Sequence, residues 1–213
     1  MRTAVTLDNM GALMEGRHAQ PFQILGPHEV VEEGRKALAV RAFLPDSQQA
    51  WVVDAAHQWT RPMRRIHPAG LYEAIVPHAA APAAARYQLR IAGKSGELTT
   101  MHDPYSFPSY LTDLDQYLLG EGRHWEAYNR LGAQLRTVEG VAGTNFAVWA
   151  PNASSVAVVG DFNRWDGRVH PLQKHHSTGI WELFIPDVRP GQKYKFRVLS
   201  LIHISEPTRR RGI

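Results

Sequence analysis

The sequence predicts an all-β protein: two tandem immunoglobulin-like β-sandwiches joined by a short, partly helical connector. Three observations carry that expectation. Residues 22–91 and 128–198 are two copies of one pattern, their strand-like stretches are short and bounded by regular turn signals, and neither copy contains a helix of useful length. Leu25-Gly26 recurs as Leu131-Gly132, Pro45 as Pro151, Val52-Val53 as Val158-Val159 and Trp59 as Trp165, all 106 residues on. Gly70-Leu71-Tyr72-Glu73 then meets Gly179-Ile180-Trp181-Glu182 at 109, and Tyr87-Gln88-Leu89-Arg90-Ile91 meets Tyr194-Lys195-Phe196-Arg197-Val198 at 107. One short insertion in each copy explains the drift. A period near 106 is the size of a small domain, too long for a solenoid repeat.

Each strand is read from its alternation. Val40, Ala42 and Leu44 share one face in the first copy, as Phe146, Val148 and Ala150 do in the second. Residues 156–159, 181–185 and 194–198 follow as strands, with Trp181, Leu183 and Ile185 on one face and Tyr194, Phe196 and Val198 turned inward. Lys195 and Arg197 are then expected to point outward. Pro151-Asn152, Asp166-Gly167, Thr178-Gly179 and Pro190-Gly191 break the second copy at hairpin-like intervals. The alanine-rich residues 79–85, interrupted by Pro82, are expected to form a surface loop. Between the copies, Thr112 followed by Asp115 reads as a helix N-cap, and Gly120 and Gly122 stop that helix after about two turns. The expected division is residues 18–108 for the first module, 109–127 for the connector and 128–199 for the second module, incomplete at its C-terminal end.

Composition excludes several classes. There is no cysteine, so neither a disulfide framework nor a cysteine zinc site can form. The eleven histidines show no ligand spacing with a carboxylate on the same strand, so scattered loop histidines are expected, with no metal and no cofactor. Of the net charge of +4, Arg209, Arg210 and Arg211 against Glu206 account for two, leaving no basic stripe for nucleic acid. The first ten residues lack the apolar core of a signal peptide, and no apolar run approaches membrane-spanning length. A soluble, cytoplasmic protein without membrane or nucleic-acid partners is the expectation.

The most specific string is residues 160–167, Gly160-Asp161-Phe162-Asn163-Arg164-Trp165-Asp166-Gly167. A generic turn with Phe162 and Trp165 as core is one reading. A calcium loop is excluded, because Trp165 stands at the fifth position, where an oxygen ligand is needed, and no glutamate stands at the twelfth. Together with residues 144–153, Gly179-Ile180-Trp181-Glu182 and Tyr194-Lys195-Phe196, the octet resembles the starch- and glycogen-binding module of carbohydrate-binding family 48. The order of motifs resembles the bacterial glycogen branching enzymes of glycoside hydrolase family 13. Pro21-Phe22-Gln23-Ile24-Leu25-Gly26-Pro27-His28, Asp103-Pro104-Tyr105-Ser106-Phe107 and Leu119-Gly120-Glu121-Gly122-Arg123-His124 support that likeness, which runs over roughly residues 18–199.

The resemblance implies an α-1,4-glucan partner, glycogen or maltooligosaccharides, contacted by Trp165 and Lys195. An indole face can stack on a glucose ring while an ammonium donates to its hydroxyls. Packing of Trp165 in the core stays open beside sugar contact. A second tryptophan that some family members carry after the Tyr-Lys-Phe strand is replaced here by Leu201-Ile202-His203-Ile204. The first module keeps Trp59, but Gln88 stands for Lys195 and Asp54-Ala55-Ala56-His57 for the loop, so sugar binding there is less expected.

Retaining glycosyl transfer needs two carboxylates about 5 Å apart. In the family they stand in a (β/α)₈ barrel that follows the second module, so no catalytic residue is expected here, and the barrel would be a partner in cis in the full-length protein. The repeat predicts an Asp-Pro-Tyr near position 210, but the chain reads Ile204-Ser205-Glu206-Pro207-Thr208-Arg209-Arg210-Arg211. Residues 200–213 are therefore expected to be a non-native, dispensable tail. A non-catalytic N-terminal part of a branching enzyme is the leading reading. A free-standing glycogen-binding scaffold, or the accessory region of a debranching or trehalose-forming relative, are its rivals.

Overall fold

A computed structural model describes residues 7–32, 34–54, 59–77 and 87–200. The tail expected over residues 200–213 lies outside them from residue 201 onward, as do the Ala-rich stretch 79–85 and residues 55–58. The described residues form four antiparallel sheets, two per copy. In the first copy β1 (Gly26–Glu32), β2 (Arg35–Phe43), β6 (Leu71–Pro77) and β5 (Arg64–His67) lie in the order β1-β2-β6-β5. Its second sheet is β4 (Thr60–Pro62), β3 (Ser47–Asp54), β7 (Tyr87–Gly93) and β8 (Leu98–His102). In the second copy β12 (Gln173–His175), β13 (Ile180–Pro186), β10 (Val141–Trp149) and β9 (Gly132–Val138) face the pair β11 (Ala153–Gly160) and β14 (Tyr194–Ser200).

The repeat in sequence is a repeat in the hydrogen-bond ladder. Gly26 faces Arg41 as Gly132 faces Ala147, Phe43 faces Leu71 as Trp149 faces Ile180, and Asp54 faces Tyr87 as Gly160 faces Tyr194. Even the bulge recurs, after Ser47 in β3 and after Ala153 in β11. Met63 N–H donates to Ala50 O at 2.8 Å, and Leu172 N–H to Val156 O at 2.8 Å, so the loops return to the same rung. Gly70 (φ +105°) and Gly179 (φ +73°) show why both copies need glycine there. A Cβ would lie 2.6 Å from Pro45 Cα in one and 2.6 Å from Pro151 Cβ in the other, in a left-handed backbone.

Val40, Val52, Tyr72, Val76 and Leu89 fill the first sandwich. Phe146, Val158, Leu172, Trp181 and Leu183 fill the second. Trp181 is fully buried and its indole N–H reaches Ala150 O at 2.9 Å, which satisfies the one polar atom that burial would otherwise penalise. Phe43, Leu71 and Tyr105 of the first copy join this second cluster, so apolar packing is continuous between the modules.

Val198, expected to turn inward, is 47% exposed, and two larger features also depart from the strand-by-strand expectation. The first is a helix, α1 (Leu7–Met14), which places Leu13 and Met14 in the second module's core although it precedes the first module in sequence. After it, Gly16 O accepts from Ser155 Oγ at 3.1 Å and from Arg197 Nη2 at 3.0 Å, and Ala19 O accepts from Lys174 N at 3.1 Å. Arg197, expected to face solvent, is half-covered by this segment.

The second is β13, all of whose residues are buried. Trp181, Leu183 and Ile185 face the sandwich as their alternation predicts. The opposite face is covered too: Ile180 by Leu111, Leu119 and Leu131, and Phe184 by the Phe107 ring at 5.1 Å. Between them the Glu182 carboxylate accepts from Ser109 Oγ (2.5 Å), Tyr110 N (3.0 Å), Leu111 N (3.0 Å), Asn145 Nδ2 (3.1 Å) and His175 Nε2 (2.9 Å). Burial alone would raise its pKa; the hydrogen bonds outweigh that and hold it below the ordinary value. The connector is thereby fastened to the second module. Its helix α2 (Asp113–Gly120) opens with the expected cap, Thr112 Oγ1 accepting from Asp115 N at 3.1 Å while Asp115 Oδ2 accepts from Thr112 N at 3.1 Å.

Candidate functional site

The octet at residues 160–167 begins where β11 ends. Gly160 is required there because a Cβ would stand 2.5 Å from Lys193 O, just before β14. The chain then folds through one 3-10 turn, Asp161–Asn163, and Asn163 locks it from beneath. Its Oδ1 accepts from Gly160 N at 2.9 Å, and its Nδ2 donates to Val158 O at 2.9 Å and to His170 Nδ1 at 3.0 Å. His170 lies in the loop between β11 and β12. It is buried, and burial pushes its pKa down to about 4, so it stays neutral and can accept from Asn163. Phe162 packs its ring against Phe146 at 5.7 Å and against His170 at 5.8 Å.

Rigid support below lets the top of the turn adopt a costly conformation. Arg164 (φ 54°) and Trp165 (φ 63°) are consecutive left-handed residues without glycine's freedom. Each such residue costs on the order of 1 kcal/mol or more. The result is a displayed indole: Trp165 is 44% exposed and belongs to neither sandwich core, while Phe162 does the packing. The ring is nevertheless held. Asp161 Oδ1 accepts from Trp165 Nε1 at 3.2 Å, and Asp161 Oδ2 accepts from Lys193 N at 2.9 Å. Asp166 and Arg168 close the turn with a two-pronged ion pair, nearest at 2.7 Å.

Lys195 stands on β14 opposite Val159, one residue past the Gly160–Tyr194 pair from which the Trp165 turn springs. It is exposed, and among the described residues its ammonium has no partner. Both predicted site residues therefore lie at the same end of the β11–β14 ladder. Asp161 and Asn163, which hold the display, were legible only as members of a turn-forming string.

The first-module counterpart is built differently. Trp59 N–H donates to Asp54 Oδ1 at 2.9 Å, so it hangs from the same strand connection as Trp165. Its indole is half-buried and packs against the first core. No group of three or more metal-ligating side chains occurs among the described residues, and none of their helices is long and apolar enough to cross a membrane.

Comparison with known proteins places this geometry in a class. Residues 130–201 match carbohydrate-binding module 48 (isoamylase N-terminal domain). Residues 6–105 match the N-terminal domain of the alpha-1,4-glucan branching enzyme. The chain thus belongs to the family of bacterial 1,4-alpha-glucan branching enzymes, over the N-terminal region of that family. It is 50% identical over 199 residues to the 1,4-alpha-glucan branching enzyme of Rhodopirellula baltica, covering 93% of this chain and 27% of that protein. Against the branching enzyme of Rhodopseudomonas palustris it is 48% identical, covering 91% of this chain and 26% of that one. The chain spans about a quarter of the length of these curated relatives. Among solved structures, a pullulanase from Anoxybacillus sp. LM18-11 aligns over 83% of this chain and 24% of its own at 14% identity, with a TM-score of 0.28, too low to inform the fold.

Proposed function

We propose that this chain binds α-1,4-glucan, as glycogen or maltooligosaccharide, through Trp165 with Lys195 beside it. It is the non-catalytic N-terminal part of a cytoplasmic glycogen branching enzyme, and it positions glucan for a catalytic barrel in cis. One observation supports this above all: an exposed indole held by Asp161 on a strained, locked turn rather than packed in the core. A ring fixed at its N–H edge keeps a face free for a sugar and loses little rotamer freedom on binding.

The interaction is weak. One indole stacked on a glucose buries on the order of 100 Å², worth roughly 2.5 kcal/mol at about 25 cal/mol per Å². The ammonium adds hydrogen bonds, and association costs of several kcal/mol offset most of the gain, so the Kd is about millimolar. Calorimetric titration of maltoheptaose into the wild-type chain, Trp165→Ala and Lys195→Ala tests this. Trp165→Ala is expected to weaken binding by about tenfold. Equal affinity in wild type and Trp165→Ala, with both folded, would remove Trp165 from the site.

A further inference from the structure

A second exposed aromatic pair borders the turn at Ser177 and Thr178, away from Trp165. Trp149 ends β10 and is 64% exposed. The eight residues of β11 separate its end of the module from the Trp165 turn, on the order of 23 Å at about 3.3 Å per residue. The repeat makes this exposure informative. The counterpart of Trp149 is Phe43, which is 4% exposed and lies beneath the Arg168 guanidinium at 5.8 Å. In the second module the neighbouring Ile180 is covered by connector leucines, yet Trp149 is left in solvent.

The indole of Trp149 is held as that of Trp165 is. Its Nε1 donates to Thr178 O at 3.1 Å, so the edge is pinned and a face stays open. On the other side of the same turn, a cleft of about 440 Å³ is lined by Ser177 together with Asp113, Gln116, Tyr117, Gly120 and Glu121 of the connector. Tyr117 is 63% exposed. Helix α2 ends against the turn: a Cβ on Gly120 would lie 3.9 Å from Ser177 O and from Thr178 Cγ2.

The lining selects the ligand. Two carboxylates, an amide and a hydroxyl offer acceptors and donors to sugar hydroxyls, and the carboxylates repel anions. Exposed aromatic faces in such a polar frame suit a neutral polyhydroxylated chain. They suit a second protein domain less well, since the docking end of the first module presents Phe43, Leu71, Ile66 and Ala69 instead. We infer that Trp149, Tyr117 and the α2 cleft form a second α-glucan contact, so that one chain can hold a glucan at two places on the second module. The inference rests on the glucan reading of the family 48 module but not on the Trp165 site.

The test follows the indole N–H resonances of the full chain as maltoheptaose is added, in wild type, Trp165→Ala, Trp149→Ala, Trp149→Phe and Gln116→Ala. A saturable shift of the Trp149 signal, persisting in Trp165→Ala, is expected. Trp149→Ala should weaken binding measured in the Trp165→Ala background by about tenfold, with Trp149→Phe restoring most of it. Gln116→Ala, a change at a half-buried cleft residue that leaves both aromatics in place, should weaken it about threefold. A Trp149 signal that stays still while that of Trp165 moves would overturn the second contact, leave the first intact and assign this face to a protein partner. A Trp149 shift with a silent Trp165 would support the second contact and overturn the first, and silence of both would overturn both.

Discussion

Replacing His170 by Asn should remove a pH dependence of stability that the wild-type chain carries. Burial holds the His170 pKa at about 4 in the folded state, against an ordinary 6.5. The Asn163 amide donating to Nδ1 fits the neutral ring and would oppose an added proton. Because the folded-state value is depressed, the stabilising contribution is present above pH 6.5 and lost as the pH falls toward 4. A difference of about 2.5 units at about 1.4 kcal/mol each gives roughly 3 kcal/mol in full, of which about 2 kcal/mol is gone by pH 5.

Asp103 acts in the opposite sense. Burial raises it to about 6, so its contribution is present below 3.8 and lost as the pH rises through 6. The wild-type curve alone therefore partly cancels, and the comparison with the variant isolates the histidine. Urea unfolding at pH 7.5, 6, 5 and 4.5, followed by tryptophan fluorescence, gives both curves. The wild type should lose about 2 kcal/mol relative to His170→Asn between pH 7.5 and 5. A constant difference across that range would refute a buried, neutral His170.

Other substitutions probe the connections between modules. Glu182→Ala should destabilise the chain by about 3–5 kcal/mol, because five donors lose one buried acceptor, and Glu182→Gln by less; chemical unfolding measures both. Leu13→Ala should cost about 2–5 kcal/mol even though Leu13 precedes the first strand, and a change under about 0.5 kcal/mol would show that α1 does not dock.

The strand framework was legible because each matched pair, Val53 with Val159 or Glu73 with Glu182, marks a rung that both copies share. Thr112 and Asp115 announced α2 because a capping box is local chemistry. The docking of α1 was not legible: eight residues with one strongly buried leucine do not say which module they cover, and the answer comes from Ser155 and Arg197, more than a hundred residues on. The alternation of β13 pointed to one buried face, but Leu111 and Leu119, which help to cover the other, lie in the connector. At the site, Trp165 and Lys195 were readable as chemistry. Whether the indole packs or protrudes was not, because the outcome depends on two left-handed residues and on Asn163 reaching three partners. The same residue type in the same place packs in Trp59.

The most direct measurement of the glucan-binding account is the Trp165 indole N–H resonance during titration of the wild-type chain with maltoheptaose at millimolar concentration. The account predicts a saturable shift at Trp165 while the buried Trp181 and the packed Trp59 stay unchanged. An unmoved Trp165 signal at saturating sugar, with the protein folded, would contradict it.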